Sequence, residues 1–200
     1  MELIFQQEII TFDGTPTAEE VIVKINELLE NGYYFSHFIV DGEEVHGEHE
    51  DFLERYLGQL VRVEVIAKTV KEFVNDLFLS AEEYLERAVP ELPILAEEFY
   101  DNPKPETWGK LDDLLGGLQW LDGMLMVIGQ NGTVPYNWET YLTISSSMQE
   151  EIRNFAEAIE NEDNVLIGDI IQYEILPNFE ELGNEVKKTI DNEGMRHDLN

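Results

Sequence analysis

The hydrophobic period changes at Thr69–Val70, and that change is the strongest constraint on the fold. Just before it, LVRVEVIAK alternates: Val61, Val63 and Val65 share one face of a strand, and Arg62 and Glu64 share the other. Just after it, Val70, Phe73, Val74, Leu77, Ala81, Tyr84, Leu85 and Ala88 recur at intervals of three and four, the spacing of a helix with one face on a core. Strand signals do not return downstream. An α+β chain is expected, with a strand-rich domain over 1–69, an all-α domain over 70–192 and a frayed tail over 193–200.

Within 1–69 the elements follow one another in a legible order. ELIFQ and EIITFDG read as a hairpin with Leu3, Phe5, Ile10 and Phe12 on one side. Thr17 precedes Ala-Glu-Glu with Glu20 at the capping-box offset, and Val21, Ile25, Leu28 and Leu29 give a helical stripe that stops at Asn31-Gly32. YYFSHFIV alternates as a strand up to Asp41-Gly42, a tight-turn dipeptide, and EEV follows as a short strand. HEDFLERYL supplies one or two helical turns before Gly58, and LVRVEVIAK is the last strand. This order, with TAEEVIVKINELL as the helix, FIVDGEEV as strand and turn, and RVEVIAK as the final strand, resembles the ubiquitin-like β-grasp. The resemblance covers about a third of the chain, is one of fold, and implies a protein-interaction or scaffold module. Ubiquitin and the related sulfur carriers work through a free C-terminal Gly-Gly. Here Ala67-Lys68-Thr69 runs into a predicted helix, so conjugation and thiocarboxylate chemistry are not expected.

From residue 70 on, four helical stripes predict an up-down four-helix bundle. Pro90 and Pro93 break the first, leaving LPILAEEFY as a separate turn or two before the loop DNPKP. The second carries Trp108, Leu111, Leu114, Leu115, Leu118, Leu121, Leu125 and Ile128, and closes at Asn131-Gly132. Asn137 is placed to cap the third, which carries Tyr141, Ser145, Met148, Ile152, Phe155 and Ile159. The fourth starts near Asp163 and carries Ile167, Ile171, Ile175, Phe179, Leu182, Val186 and Ile190, with Pro177 inside it as a kink.

The charge narrows the choice of partners. Asp and Glu number 43 against 12 Lys and Arg, a formal net charge of −31, which disfavours approach to nucleic-acid phosphates or anionic lipid. There is no cysteine, so disulfides, thiolate nucleophiles and cysteine-held zinc are excluded. Glu2 stands where an export signal carries positive charge, and LLGGLQWLDGMLMVIGQ, interrupted by Gln119 and Asp122, falls short of the roughly 20 apolar residues of a membrane span. A soluble cytoplasmic protein is expected.

Candidates for chemistry are sparse. In DGEEVHGEHED, His46 and His49 are candidate metal ligands amid acids, but they share a helical face only if 46–49 is helical, and Gly47 lies between them. The order His-Gly-Glu-His is neither of the zinc-peptidase helix motifs, and no calcium loop, phosphate loop or Gly-x-Ser-x-Gly elbow is present. Gly109, Gly116, Gly117, Gly123 and Gly129 are numerous for a helix interior, where each costs about 1 kcal/mol against alanine, and they imply close helix contact, a bend at Gly116-Gly117, or room for a ligand or a partner side chain. Asp169, Tyr173 and Glu174 flank the Pro177 kink and could be paired with Asp122 or Asp112, but no helix carries the Glu-x-x-His of di-iron bundles. His37 reads as half-buried structure.

No catalytic residue and no cofactor are assigned. The chain is expected to be a non-enzymatic adaptor, assembly factor or regulator with a protein partner, its candidate contacts being Trp108, Gly116, Gly117, Trp120, Tyr173 and Glu174. Two alternatives stand beside this: an acidic mimic or sink for a basic partner such as a nucleic-acid-binding protein, and a metal-dependent enzyme or sensor using His46 and His49.

Overall fold

The computed structural model describes residues 1–30, 32–132 and 134–194, and divides into two compact units, Met1–Phe73 and Val74–Asn200. The fold is α+β, a mixed five-stranded sheet with its helices followed by a helical bundle.

In the first unit β1 (Glu2–Phe5) turns back on β2 (Glu8–Thr11) through Gln6, whose φ of 54° is left-handed. Leu3 pairs with Ile10 across that hairpin and with Val63 of β5 (Arg62–Thr69) in parallel on the other side. β3 (Tyr33–Val40) runs antiparallel to both β5 and β4 (Glu43–Val45), so the strand order is β2-β1-β5-β3-β4, a β-grasp arrangement. One sheet face is dry. Leu3, Phe5, Phe38, Val63 and Val65 bury against Val21 and Ile25 of α1 (Ala18–Leu29), against Leu53 of α2 (His49–Tyr56), and against Leu57. Each such side chain contributes about 1.5–3 kcal/mol of transfer free energy. Val61 lies before β5 and is exposed rather than sharing the buried face of Val63 and Val65.

The expected capping box is present: Thr17 Oγ1 accepts from the Glu20 N–H at 3.2 Å, and Glu20 Oε2 accepts from the Thr17 N–H at 2.8 Å. The same device opens α3 (Val70–Ala88), where Thr69 and Glu72 exchange backbone-to-side-chain bonds of 2.8 and 3.2 Å. Thr69 therefore ends β5 and caps α3 at once, which is why strand passes into helix with no loop. Of the expected stop of α1, Asn31 lies outside the described residues; Gly32 has φ 91°, and its carbonyl accepts from the Val70 N–H.

The second unit is built from α3 beyond Phe73, α4 (Leu92–Tyr100), α5 (Pro105–Gln130), α6 (Trp138–Glu160), α7 (Asn164–Asp169) and α8 (Leu176–Glu193). Contacts fix the directions. Tyr84 meets Gly117 and Trp120 while Arg87 and Ala88 share a cleft with Lys110 and Leu114, so α3 is antiparallel to α5; Trp138 lies against Gly129 and Asp122 bonds Ser145 and Gln149, so α5 is antiparallel to α6; Asn137 reaches Glu185 and Ser147 reaches Asn178, so α6 is antiparallel to α8. Pro90 sits in a 3-10 turn that ends α3, and Pro93 lies in the first turn of α4, a fifth, shorter helix packed on α7 and α5. Ile167, Ile171, Ile175, Phe179, Leu182, Val186 and Ile190 are all buried, as the fourth stripe requires. The third stripe is rotated: Ile144 and Ala158 enter the core, while Ser145 bonds Asp122 and Ile159 is exposed. Among the described residues no helix is long and apolar enough to cross a membrane. The tail expected over 193–200 lies outside the described residues from 195 onward.

Two differences from expectation concern polar groups. Asn137 occupies the N-cap position of α6 without capping it; its amide donates to Glu185 Oε2 at 2.7 Å, and its Oδ1 accepts from Thr189, which bonds the buried Tyr141 hydroxyl at 2.7 Å. Hydrogen bonds from Lys188 and then Asn137 hold the Glu185 carboxyl below the usual carboxylate range. Pro177 does not interrupt a plain α-helix. Residues Ile170–Ile175 form a π-helical segment in which the Leu176 N–H bonds the Ile171 carbonyl, so the wider turn ends just before the proline, which falls in the first turn of α8.

The helix glycines separate into two kinds. A Cβ on Gly117 would lie 1.7 Å from the Tyr84 hydroxyl, whereas one on Gly116 would meet nothing within 4 Å. Gly117→Ala should therefore lower stability by about 1–3 kcal/mol through displacement of Tyr84, and Gly116→Ala should raise it by up to about 1 kcal/mol. Denaturant unfolding of both variants checks the pair, and equal effects would contradict it.

Candidate functional site

Two surfaces bring together side chains with something to bind. The first is the β3–β4 hairpin. Asp41 and Gly42 have φ of 53° and 87°, the left-handed pair of a two-residue hairpin turn, and they set the register Val40↔Glu43, Ile39↔Glu44, Phe38↔Val45. Phe38, Val40 and Val45 pack on the inner core, so Ile39 and Glu44 point to the outer face. Strict alternation would turn Phe35 outward. A bulge at Ser36, where β3 slips against β5 between Phe35 and His37, returns Phe35 to the inner side and leaves His37 on the outer one.

His37, Glu44 and His46 therefore converge. Their ligand atoms all lie within 4.8 Å of one another, and they form the single such group of three or more among the described residues. Glu44 Oε2 is 2.9 Å from His46 Nε2, Glu44 Oε1 is 3.9 Å from His37 Nε2, and the two imidazole centroids are 4.6 Å apart. The hydrogen bond from His46, then the nearby His37, lowers the Glu44 carboxyl below its ordinary range. His49 is not part of the group. It starts α2 on the inner side, its ring set edge-on to Phe35 and Phe38 and its Nε2 3.1 Å from the Val45 carbonyl. The candidate pair of His46 and His49 is not brought together; His46 lies instead beside His37, the residue read as half-buried structure. The register was the signal: a turn at Asp41-Gly42 sets the ladder that ends at Phe38↔Val45, and His37 and His46 are the next residues along the two chains.

The second surface is the outer side of α5. Its inner side supplies Leu111, Leu114, Leu118, Leu121, Leu125 and Ile128 to the core. On the outer side Gly109, Gly116 and Gly123 repeat every seven residues, all exposed and each with open space where a Cβ would be. Trp120 and Val127, one turn beyond Gly116 and Gly123, are 39% and 37% exposed, and Met126 beside them is 58% exposed. α5 is a single unbroken helix, so Gly116-Gly117 marks no break. Trp120 rests edge-on against Tyr84, and Trp108 edge-on against Phe99, each leaving part of its ring in solvent.

Tyr173 and Glu174 are exposed on the π-helical segment. Asp169, just before it, accepts from the Tyr100 hydroxyl at 2.8 Å, and the Tyr100 ring lies against Gly168, where a Cβ would come within 2.6 Å. No carboxylate pair forms at this place, because Asp169 serves Tyr100 while Asp122 serves Ser145 and Gln149. Among the described residues every fully buried side-chain nitrogen or oxygen has a hydrogen-bond partner, so no orphaned polar group marks an internal ligand site. A cleft of about 470 Å³ among Tyr84, Arg87, Leu95, Lys110 and Leu114 has its cations engaged, Lys110 by Glu98 and Arg87 by the Glu83 carbonyl.

The helical unit, with its glycine-lined outer helix, defines the class of this protein. A family model described as Domain of unknown function (DUF8042) matches residues 76–185, more than half of the chain, and the chain belongs to that family. The match runs from α3 into α8 and leaves the sheet outside it. No curated protein and no solved structure matches the chain.

Burial and then the bond to Asp169 raise the Tyr100 hydroxyl to about 12. A raised tyrosine favours the fold while neutral, so its contribution is present below the ordinary value near 10 and is lost as pH rises from there through about 12. Burial also raises the Tyr141 and Tyr84 hydroxyls, so tyrosinate absorbance should show a late step that Tyr100→Phe reduces by one tyrosine, and the stability gap between wild type and variant should close across that window. Ionisation of all the tyrosines near pH 10 would contradict this.

Proposed function

We propose that the chain is a non-enzymatic, cytoplasmic protein-interaction module, an adaptor, assembly factor or regulator, whose docking surface is the outer side of α5. The observation that carries this reading is the row Gly109, Gly116 and Gly123 with Trp120 and Val127 beside it. Each glycine costs about 1 kcal/mol in a helix interior, and among the described residues of the helical unit nothing lies within 4 Å of where their Cβ atoms would be. Absent side chains let another backbone approach closely, and the exposed indole and aliphatics supply the apolar contact that hot spots use.

The occupant that fits is an amphipathic helix of another protein with basic residues along its flanks. Asp112 and Asp113 are exposed beside the row, and the net charge of −31 steers cationic partners toward it. That same charge supports a second reading, an acidic mimic or sink for a basic partner, in which the glycine row plays no part.

Affinity capture separates the two. Gly116→Arg places a long side chain in open space and, like Gly116→Ala, should not destabilise the fold. The expected result is that wild type retains a defined partner into high salt and Gly116→Arg or Trp120→Ala loses it. Retention by all three proteins, with release by salt alone, would favour the acidic sink. Turnover of a small molecule by the purified chain would overturn both readings.

A further inference from the structure

We propose that His37, Glu44 and His46 form a site for a divalent transition metal of the zinc class on the outer face of the β3–β4 hairpin. The backbone places the three donors there. The Asp41-Gly42 turn sets the ladder that ends at Phe38↔Val45, so His37 and His46 are the next residues along the two chains; the bulge at Ser36 turns His37 outward, and Glu44 lies on the outer face of β4 opposite Ile39. Two imidazoles and one carboxylate are the donors that zinc, nickel and copper take, whereas calcium and magnesium prefer oxygen alone.

The orientation of His37 points the same way. Its Nδ1 lies 3.1 Å from the Ser36 hydroxyl, a bond that holds the ring and leaves Nε2 directed at Glu44. A partner on the far nitrogen is how metal-binding histidines are fixed. His37 is 13% exposed at its side chain, while Glu44 and His46 are 61% and 64% exposed and free to turn. Zinc bonds of about 2.1 Å in tetrahedral array set donors roughly 3.4 Å apart. His46 Nε2 lies 2.9 Å from Glu44 Oε2 and His37 Nε2 3.9 Å from Glu44 Oε1, and one donor atom from each residue lies within 4.8 Å of the others, so rotation of the two exposed side chains brings the three to that spacing. Three protein ligands leave one position open, for water or for a donor from a bound partner. Metal there would tie β4 to β3, and the site lies outside the residues matched by the family model.

The test uses the full chain without an affinity tag, stripped by a chelator and titrated calorimetrically with zinc in excess magnesium, which fills unspecific acidic sites. One equivalent of zinc should bind. Glu44→Gln and His46→Ala, both at exposed positions, should each weaken binding on the order of tenfold or more without changing thermal unfolding of the stripped protein. His37→Ala should do the same, and His49→Ala should leave binding unchanged. In histidine ring spectra the signals of His37 and His46 should move with zinc and those of His49 should not. Binding that survives in the Glu44→Gln/His46→Ala double variant, no saturable binding by wild type, or binding lost only with His49 would overturn the proposal.

Discussion

Each element of this chain has to bury one apolar face, and that constraint organises both units. In the sheet it is strong enough to bend a strand: Ser36 is bulged out of register so that Phe35 and Phe38, separated by an odd number of positions, both reach the inner core. The polar consequences follow from the apolar cause. His37, Glu44 and His46 gather on the outer face because Phe38, Val40 and Val45 occupy the inner one, and His49 is left inside beneath the aromatic rings. In the bundle the same constraint explains the π-helical turn, where one extra residue keeps Ile167, Ile171 and Ile175 in the core ahead of Pro177.

α5 departs from the one-face rule. It buries a continuous leucine row and also presents Trp120, Met126 and Val127 outward, beside three glycines that no described residue of the helical unit packs against. Gly117 shows what a helix glycine accomplishes when the chain itself uses the space, since the Tyr84 phenol fills it. The contrast between position 117 and its neighbour 116 is the physical ground for assigning the outer side of α5 to another molecule. Membership in the DUF8042 family covers this helix entirely, so the surface belongs to the part of the chain the family shares.

Much of this was legible from residue order. The change of period at Thr69–Val70, the Thr17–Glu20 box and the fourth isoleucine stripe all reappear in the structure, because each depends on local spacing. What escaped was tertiary. A strict seven-residue spacing places Ser145 in the stripe of α6, whereas the apolar Ile144 is buried and Ser145 donates to Asp122 on the neighbouring helix. Pro177 reads as a kink until the widened turn before it is seen. The His37–His46 pair was implicit in the Asp41-Gly42 turn, but a scan for neighbours along the chain pairs His46 with His49 instead. Five glycines in α5 look alike in sequence, and only the packing of Tyr84 and Trp138 tells Gly117 and Gly129 from Gly116.

The central claim is that the outer side of α5 is covered by a partner in the cell. A photo-reactive amino acid placed at position 116 or 123, and for comparison at the exposed Glu150 of α6, tests it in living cells. The account predicts one dominant protein adduct, the same from 116 and 123, mapped to a helical segment with basic flanks and absent from 150. No adduct from 116 and 123, or the same mixture of adducts from all three positions, would contradict it.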